Sequence, residues 1–302
     1  MLNHQICLVL GAGASQPYGF PTGGELMQYI QQPQADEWWP LAKEVTGFDR
    51  TDHDGFASRL RISGVPSIDQ FAGGNPKSEK YAKALIAQLV GRVENPTIVL
   101  DRSRDVDWVS YLKHRIAHNA RSLSALKSKW PHVITFNYDR SFEESMLQRL
   151  LNTFEDATQE TVAELLRKWQ IVHVHGSLGD HPALTPGGRP FAPTLDPAAL
   201  EAAISKIILV HEAKSESAEF TLARKLIQES DFVFFLGFAF DPDNLEKLIP
   251  QTSAARIPIM YSTLRDDAKT ALTAASGRGV PMRSTHAECR GLLEVHSGAY
   301  SK

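Results

Sequence analysis

The chain has 302 residues, 42% of them hydrophobic, enough to bury a substantial core in one large α/β domain with an insertion or in two modest ones; a disordered or fibrous chain is excluded. A formal net charge of -3 gives no global electrostatic reason to favour nucleic acid or an anionic membrane as partner. The two cysteines, Cys7 and Cys289, are too few for a disulfide framework or a four-thiolate zinc site, which suits a reducing compartment.

The first residues carry no basic lead, and their apolar run is too short to cross a bilayer, so they read as a structural strand of a cytoplasmic protein. Gln5 to Leu10 has the pattern of a buried parallel strand. It ends in Gly11-Ala12-Gly13-Ala14-Ser15, with a helix expected near Gly24. Residues from about 34 to 129 read as a mainly helical insertion, with helical patterns at Lys80 to Val93 and Trp108 to Lys127. Apolar runs follow at His132 to Phe136, Ile171 to Val174, Asp231 to Leu236 and Ile257 to Tyr261, each leading to a polar turn and a helical pattern. Such alternation predicts a Rossmann-like α/β fold, a parallel sheet with helices on both faces. Gly176 to Pro197 is rich in Pro and Gly and reads as a surface loop. Lys113, Arg115, Arg121, Lys127 and Lys129, with Trp108 and Tyr111 nearby, fit a solvated helix face at least as well as a nucleic-acid surface.

Four segments carry chemistry. The Gly11 to Ser15 turn suits close approach of backbone to a pyrophosphate at a helix N-terminus, or a merely tight strand-to-helix connection. The third glycine of the dehydrogenase fingerprint is absent, since Gln16 stands there, and no acidic ribose acceptor is evident about 20 residues on. Thr135-Phe136-Asn137-Tyr138-Asp139 lies at a strand end, where ligands of open α/β sheets bind; Asn137 suits ligand contact, and Asp139 suits either that or capping of a helix beginning near Arg140. In His173-Val174-His175-Gly176, alternation puts both imidazoles on one side of a strand. A metal pair is conceivable, but His175 is better suited to bonding a ribose hydroxyl and moving a proton, with His173 structural and no metal expected. Gly237-Phe238-Ala239-Phe240-Asp241-Pro242-Asp243-Asn244 ends a strand and starts a helix, with Gly237 open to a ligand and the aspartates as caps.

Together the four segments resemble the sirtuin (SIR2) family, in its divergent bacterial SIR2-like branch. Gly11-Ala12-Gly13-Ala14-Ser15 looks like the family's GAG-x-S cofactor loop, continued by Gly19-Phe20-Pro21. Asn137 and Asp139 match the T-Q-N-x-D motif, with Phe136 in place of glutamine. His175-Gly176 matches the catalytic histidine and its glycine, and Gly237 opens the G-[TS]-S motif, whose serine is here Ala239. Pro66-Ser67-Ile68-Asp69-Gln70-Phe71 also looks like a segment of the divergent branch.

The resemblance implies NAD as substrate, Asn137 and His175 as catalytic residues, and Gly11, Ala12, Gly13, Ala14, Ser15, Pro21, Thr22, Asp139, Gly237 and Phe238 as cofactor-binding residues. Two departures turn the implied activity from acyl-lysine removal toward NAD glycohydrolysis, the activity of SIR2-like effectors of bacterial anti-phage defence. After Pro21 the deacetylase-type Asp-Phe-Arg is replaced by Thr22-Gly23-Gly24, and no cysteine lies between Cys7 and Cys289 to build the zinc ribbon that follows the His-Gly motif in family deacylases. A protein deacylase and a non-catalytic NAD or ADP-ribose sensor are the alternatives. An NAD hydrolase needs restraint. With no evident room for a separate sensing domain, the expected source is homo-oligomerisation or a separate regulatory subunit.

Overall fold

The computed structural model describes residues 4–32, 39–65, 67–73, 76–101, 106–126, 130–193, 195–250, 259–262, 282–285 and 288–299. Six parallel strands, β1 (Ile6–Leu10), β2 (His132–Thr135), β3 (Ile171–His173), β4 (Phe232–Leu236), β5 (Ile259–Ser262) and β6 (Met282–Thr285), form one sheet. Its order is β3-β2-β1-β4-β5-β6. The chain builds outward from β1 in one direction, then crosses back to place β4 on the other side, so β1 and β4 flank a topological switch point. In sheets of this order, ligands bind beyond the carboxyl ends of the strands at that point.

β1 is buried along its whole length, as a central parallel strand with both faces covered should be. Ile6, Leu8 and Leu10 join the core on one face with Val133, Phe234 and Leu236. Cys7 and Val9 join Ile134, Val172, Val233 and Phe235 on the other. Two-residue alternation thus sorts one apolar run into two cores. Between β1 and β2 the described residues are helical, among them α1 (Ala12–Ser15), α2 (Gly23–Gln31), α3 (Trp39–Thr46), α4 (Arg50–Ser63), α5 (Ile68–Phe71), α6 (Pro76–Gly91), α7 (Pro96–Val99) and α8 (Trp108–Ala117). α9 (Ser141–Leu151) and α10 (Gln159–Lys168) lead to β3, α11 (Pro197–Lys206) and α12 (Ala218–Gln228) to β4, and α13 (Pro242–Leu248) follows β4. The first core takes in Leu85, Trp108 and Phe142 of α6, α8 and α9, and the second takes in Phe220 and Leu245 of α12 and α13. Helices therefore cover both faces.

Two expectations about the elements are revised. The helix from Trp108 ends at Ala117, where His118 turns to an extended ψ of 125° and Asn119 follows with a left-handed φ of 65°. Lys127 and Lys129 of the basic series lie outside the described residues, as does Ile257. β6 is an additional strand; Met282-Arg283-Ser284-Thr285 has no apolar run to announce it, which fits a place at the sheet's edge.

One contact fixes the sheet's carboxyl edge. Gly11 N–H donates to Leu236 O and Gly13 N–H to Gly237 O, both at 3.0 Å. Gly237 has φ 57°, and a Cβ there would overlap the backbone of Gly13 and Ala14. Its glycine character is therefore required by the contact between two turns, whatever else approaches it. Gly237→Ala should destabilise the fold by at least about 3 kcal/mol, read by urea unfolding; a change below about 0.5 kcal/mol, the range of ordinary surface substitutions, would contradict this packing.

Candidate functional site

The carboxyl ends of β3, β2, β1 and β4 are level, with Leu10 in register with both Thr135 and Leu236, and Thr135 with His173. The residues that follow these strands meet in one place. Asn137 is 8% exposed, and its Nδ2 donates to Gly11 O at 2.9 Å and to Ser15 Oγ at 3.0 Å. Both amide hydrogens are spent on the turn after β1, so Oδ1 is the end left to accept from a ligand. Ser15 Oγ in turn donates to Asp139 Oδ1 at 3.1 Å, which also accepts the Ser141 N–H at 3.0 Å. Of the two roles the sequence left open for Asp139, the structure shows the one at the start of α9. It satisfies a free N–H at the start of α9, and through Ser15 it fixes the amide of Asn137. Burial pushes its carboxyl above the usual range, against hydrogen bonds from Ser141 and Ser15 that lower it.

The two imidazoles have separate surroundings. β3 ends at His173, and the turn closed by Gly176 N–H to His173 O, with Gly176 at φ 69°, breaks the alternation. His173 faces α9, with Nδ1 3.0 Å from Asn137 O and Nε2 2.7 Å from Glu143 Oε1. His175 instead lies among Phe136, Phe220 and Asn244, with ring centroids 5.5 Å from Phe136 and 6.0 Å from Phe220. The expectation that both rings share one side is overturned. Burial lowers the basicity of His173, but the Glu143 carboxylate more than restores it and the net shift is upward; the Glu143 carboxyl, pushed up by burial, is brought net below its ordinary value by His173. For His175, 3% exposed, burial dominates and holds the ring below the ordinary imidazole value, so it is neutral at neutral pH. Its Nδ1 is buried without a hydrogen-bond partner.

Sequence reasoning did not assign several neighbours. The Tyr138 hydroxyl donates to Asp69 Oδ1 at 2.5 Å, and Gln70 Nε2 donates to Asp241 Oδ2 at 3.4 Å, so α5 is tied to the segments after β2 and β4. Pro66, which opens that motif, lies outside the described residues. Burial raises the Asp69 carboxyl, while the Tyr138 hydroxyl and the nearby His175 pull it down. Asp241 caps α13 by accepting the Asn244 N–H at 3.0 Å, as expected. Phe240 before it holds a left-handed φ of 56°, a conformation costing on the order of 1–3 kcal/mol and concentrated at functional turns.

The remaining predicted residues fall as follows. Ala12 to Ser15 form α1, with Ala14 O accepting from Trp108 Nε1 at 2.8 Å, so the insertion grips the turn. Pro21 lies between a 3-10 turn at Gln16–Tyr18 and α2, and Thr22 caps α2 in a reciprocal arrangement with Glu25, its N–H reaching Glu25 Oε2 at 2.7 Å. Phe238 packs edge-on against Phe136, 4.9 Å between centroids. The Gly176 to Pro197 loop is pinned from inside. Arg140, 1% exposed, donates to both oxygens of Glu94 at 2.9 and 2.6 Å and to the carbonyls of Asp180, Arg189 and Pro190, and Arg189 joins Glu94.

Among the described residues no group of three or more His, Cys, Asp or Glu side chains is arranged to hold a metal ion, and no helix is long and apolar enough to cross a membrane. No protein-family model matches the chain, and a search of curated proteins returns no match.

The His173–Glu143 pair has a pH signature. Glu143 is held low, so its contribution is present above the ordinary carboxyl value, ~4.3, and is lost as pH falls through its folded value; His173 is held high, so its contribution is full below ~6.5 and is lost as pH rises through its folded value. The stability lost in Glu143→Gln should therefore be greatest between about pH 5 and 6.5 and shrink on the alkaline side. Chemical unfolding of both proteins across pH 4–9 measures it; a difference that keeps growing above neutrality would contradict the pairing.

Proposed function

We propose that the chain is a SIR2-like NAD glycohydrolase of the cytoplasm, which cleaves NAD to nicotinamide and ADP-ribose and serves as an NAD-depleting effector in bacterial anti-phage defence. What supports this reading is the placement, after the neighbouring strands β2 and β3, of an amide whose nitrogen is spent on the Gly11 turn and a buried imidazole whose Nδ1 has no hydrogen-bond partner, the ring of Phe136, next to Asn137 in the chain, lying 5.5 Å from that imidazole. The dinucleotide would lie across the carboxyl ends of the strands, with its diphosphate toward Gly11 to Ser15.

Cleavage consumes NAD and water and yields nicotinamide, ADP-ribose and a proton. The bond from the ribose anomeric carbon to the pyridinium nitrogen breaks with its electron pair leaving on nicotinamide, and a water oxygen forms the new bond. Positive charge builds on the ribose as the bond lengthens. Asn137 Oδ1 presents the negative end of a fixed dipole to that sugar or to the attacking water, and the Ser15 and Gly11 bonds hold it there at no reorganisation cost. His175, kept neutral by its aromatic surroundings, takes the hydroxyl proton on Nδ1 and passes it to solvent. Phe136 closes one side of the imidazole where the resemblance predicts a glutamine. A hydrolase of this kind would drain its host, and restraint by a homo-oligomer or a separate regulatory subunit fits the proposed role.

Incubation with NAD should release nicotinamide and ADP-ribose in equal amounts, unchanged by an added acyl-lysine peptide. Asn137→Ala and His175→Ala should each lower the rate by about 100-fold or more with circular dichroism unaltered. Full activity in both variants would sink the site assignment, and acyl-ADP-ribose formed with the peptide would favour a deacylase.

A further inference from the structure

We propose that Asn244 is the positioning residue of His175, accepting the imidazole Nε2–H on its Oδ1 so that the ring's lone pair is confined to Nδ1. The two atoms are 3.0 Å apart. This rests on the reading of His175 as the proton acceptor and deepens it, by naming the residue that selects which nitrogen is the base.

Three features support the assignment. First, His175 Nδ1 is buried with no hydrogen-bond partner. With the proton on Nε2, that atom is an unused lone pair. With the proton on Nδ1, it would be a buried donor with no acceptor, the costlier of the two defects. Second, Asn244 is itself held. Its N–H donates to Asp241 Oδ1 at 3.0 Å, and Asp241 Oδ2 accepts from Gln70 Nε2 at 3.4 Å, so a chain of bonds runs from α5 through the α13 cap to the imidazole. Third, Phe136 and Phe220 lie edge-on or nearly so to the ring, so the Asn244 Oδ1 contact at 3.0 Å stands beside only a weaker backbone influence from Ile208 on the ring's basicity. The ionisable groups facing the ring are Asp69 from α5, which favours its protonated form, and Lys247 from α13, which opposes it.

The Asn244 amide orients the ring and raises its basicity, though not enough to offset burial. A carboxylate in its place would stabilise the imidazolium and remove the base at neutral pH. The same logic separates a positioning role from a packing one, because a packing residue would move neither the tautomer nor the pH profile.

Two-bond proton–nitrogen correlation spectra of the protein labelled with nitrogen-15 histidine, with His175→Gln to assign the signals, report the tautomer directly. The expected result at neutral pH is the Nε2–H form, with Asn244→Leu turning it into a tautomer mixture and lowering kcat for NAD by about 100-fold while KM stays within about threefold. Asn244→Asp should move the acid limb of the rate profile upward by about one pH unit or more, with activity returning on the alkaline side. An Nδ1–H form in the unaltered protein, or wild-type kcat in Asn244→Leu, would overturn the proposal. Should the unaltered protein release no nicotinamide at all, the hydrolase reading falls, and the spectra alone still uphold or overturn the positioning role.

Discussion

Two turns meet through bare backbone at the middle of the sheet, and the site is built outward from that contact. The Gly11–Gly13 turn after β1 lies so close to Gly237 after β4 that a Cβ on Gly11 would come within 2.5 Å of Gly237 O. Side chains are excluded from the seam, and the switch point becomes a rigid reference. Asn137 takes its orientation from Gly11 O, Ser15 takes its place from the short helix that the turn begins, and Asp139 joins Ser15 to the start of α9. The Asn137 amide is thus referenced to the backbone of the Gly11 turn and to one short, buried side chain.

Two histidines separated by one residue are given opposite electrical characters. His173 faces a carboxylate and is made more basic; it bonds the Asn137 carbonyl and secures the segment that carries the amide. His175, swung away by the Gly176 turn into a ring of phenylalanines, is made less basic and keeps one nitrogen unengaged. The pattern of neighbouring titratable groups driven apart by their environments is the one that assigns structural and proton-moving roles within one site.

Much of the fold was legible because buried parallel strands are continuous apolar runs, and five of six appear as such in the sequence with ends displaced by a residue or two. β6 was illegible because Met282-Arg283-Ser284-Thr285 is polar and short. Asn137, His175 and the Gly11 turn were singled out by their place after strand ends, which is where the structure has them. The backbone contact at Gly237 was not foreseen: a glycine marks close approach, and sequence does not tell whether a ligand or another backbone approaches. Asp69, Tyr138 and Asn244 went unassigned because their partners lie 69 residues away in the chain, and no local spacing reports such a pairing. The motif containing Asp69 and the run ending in Asn244 were visible as segments; what each side chain bonds to was not.

The account turns on where a dinucleotide lies, and a crystal structure of the His175→Ala protein with NAD tests that most directly. The account predicts the dinucleotide across the carboxyl ends of β1, β2 and β3, its nicotinamide-bearing ribose facing Asn137 Oδ1 and the place vacated by the imidazole. A dinucleotide bound elsewhere, or with that ribose turned away from Asn137, would contradict it.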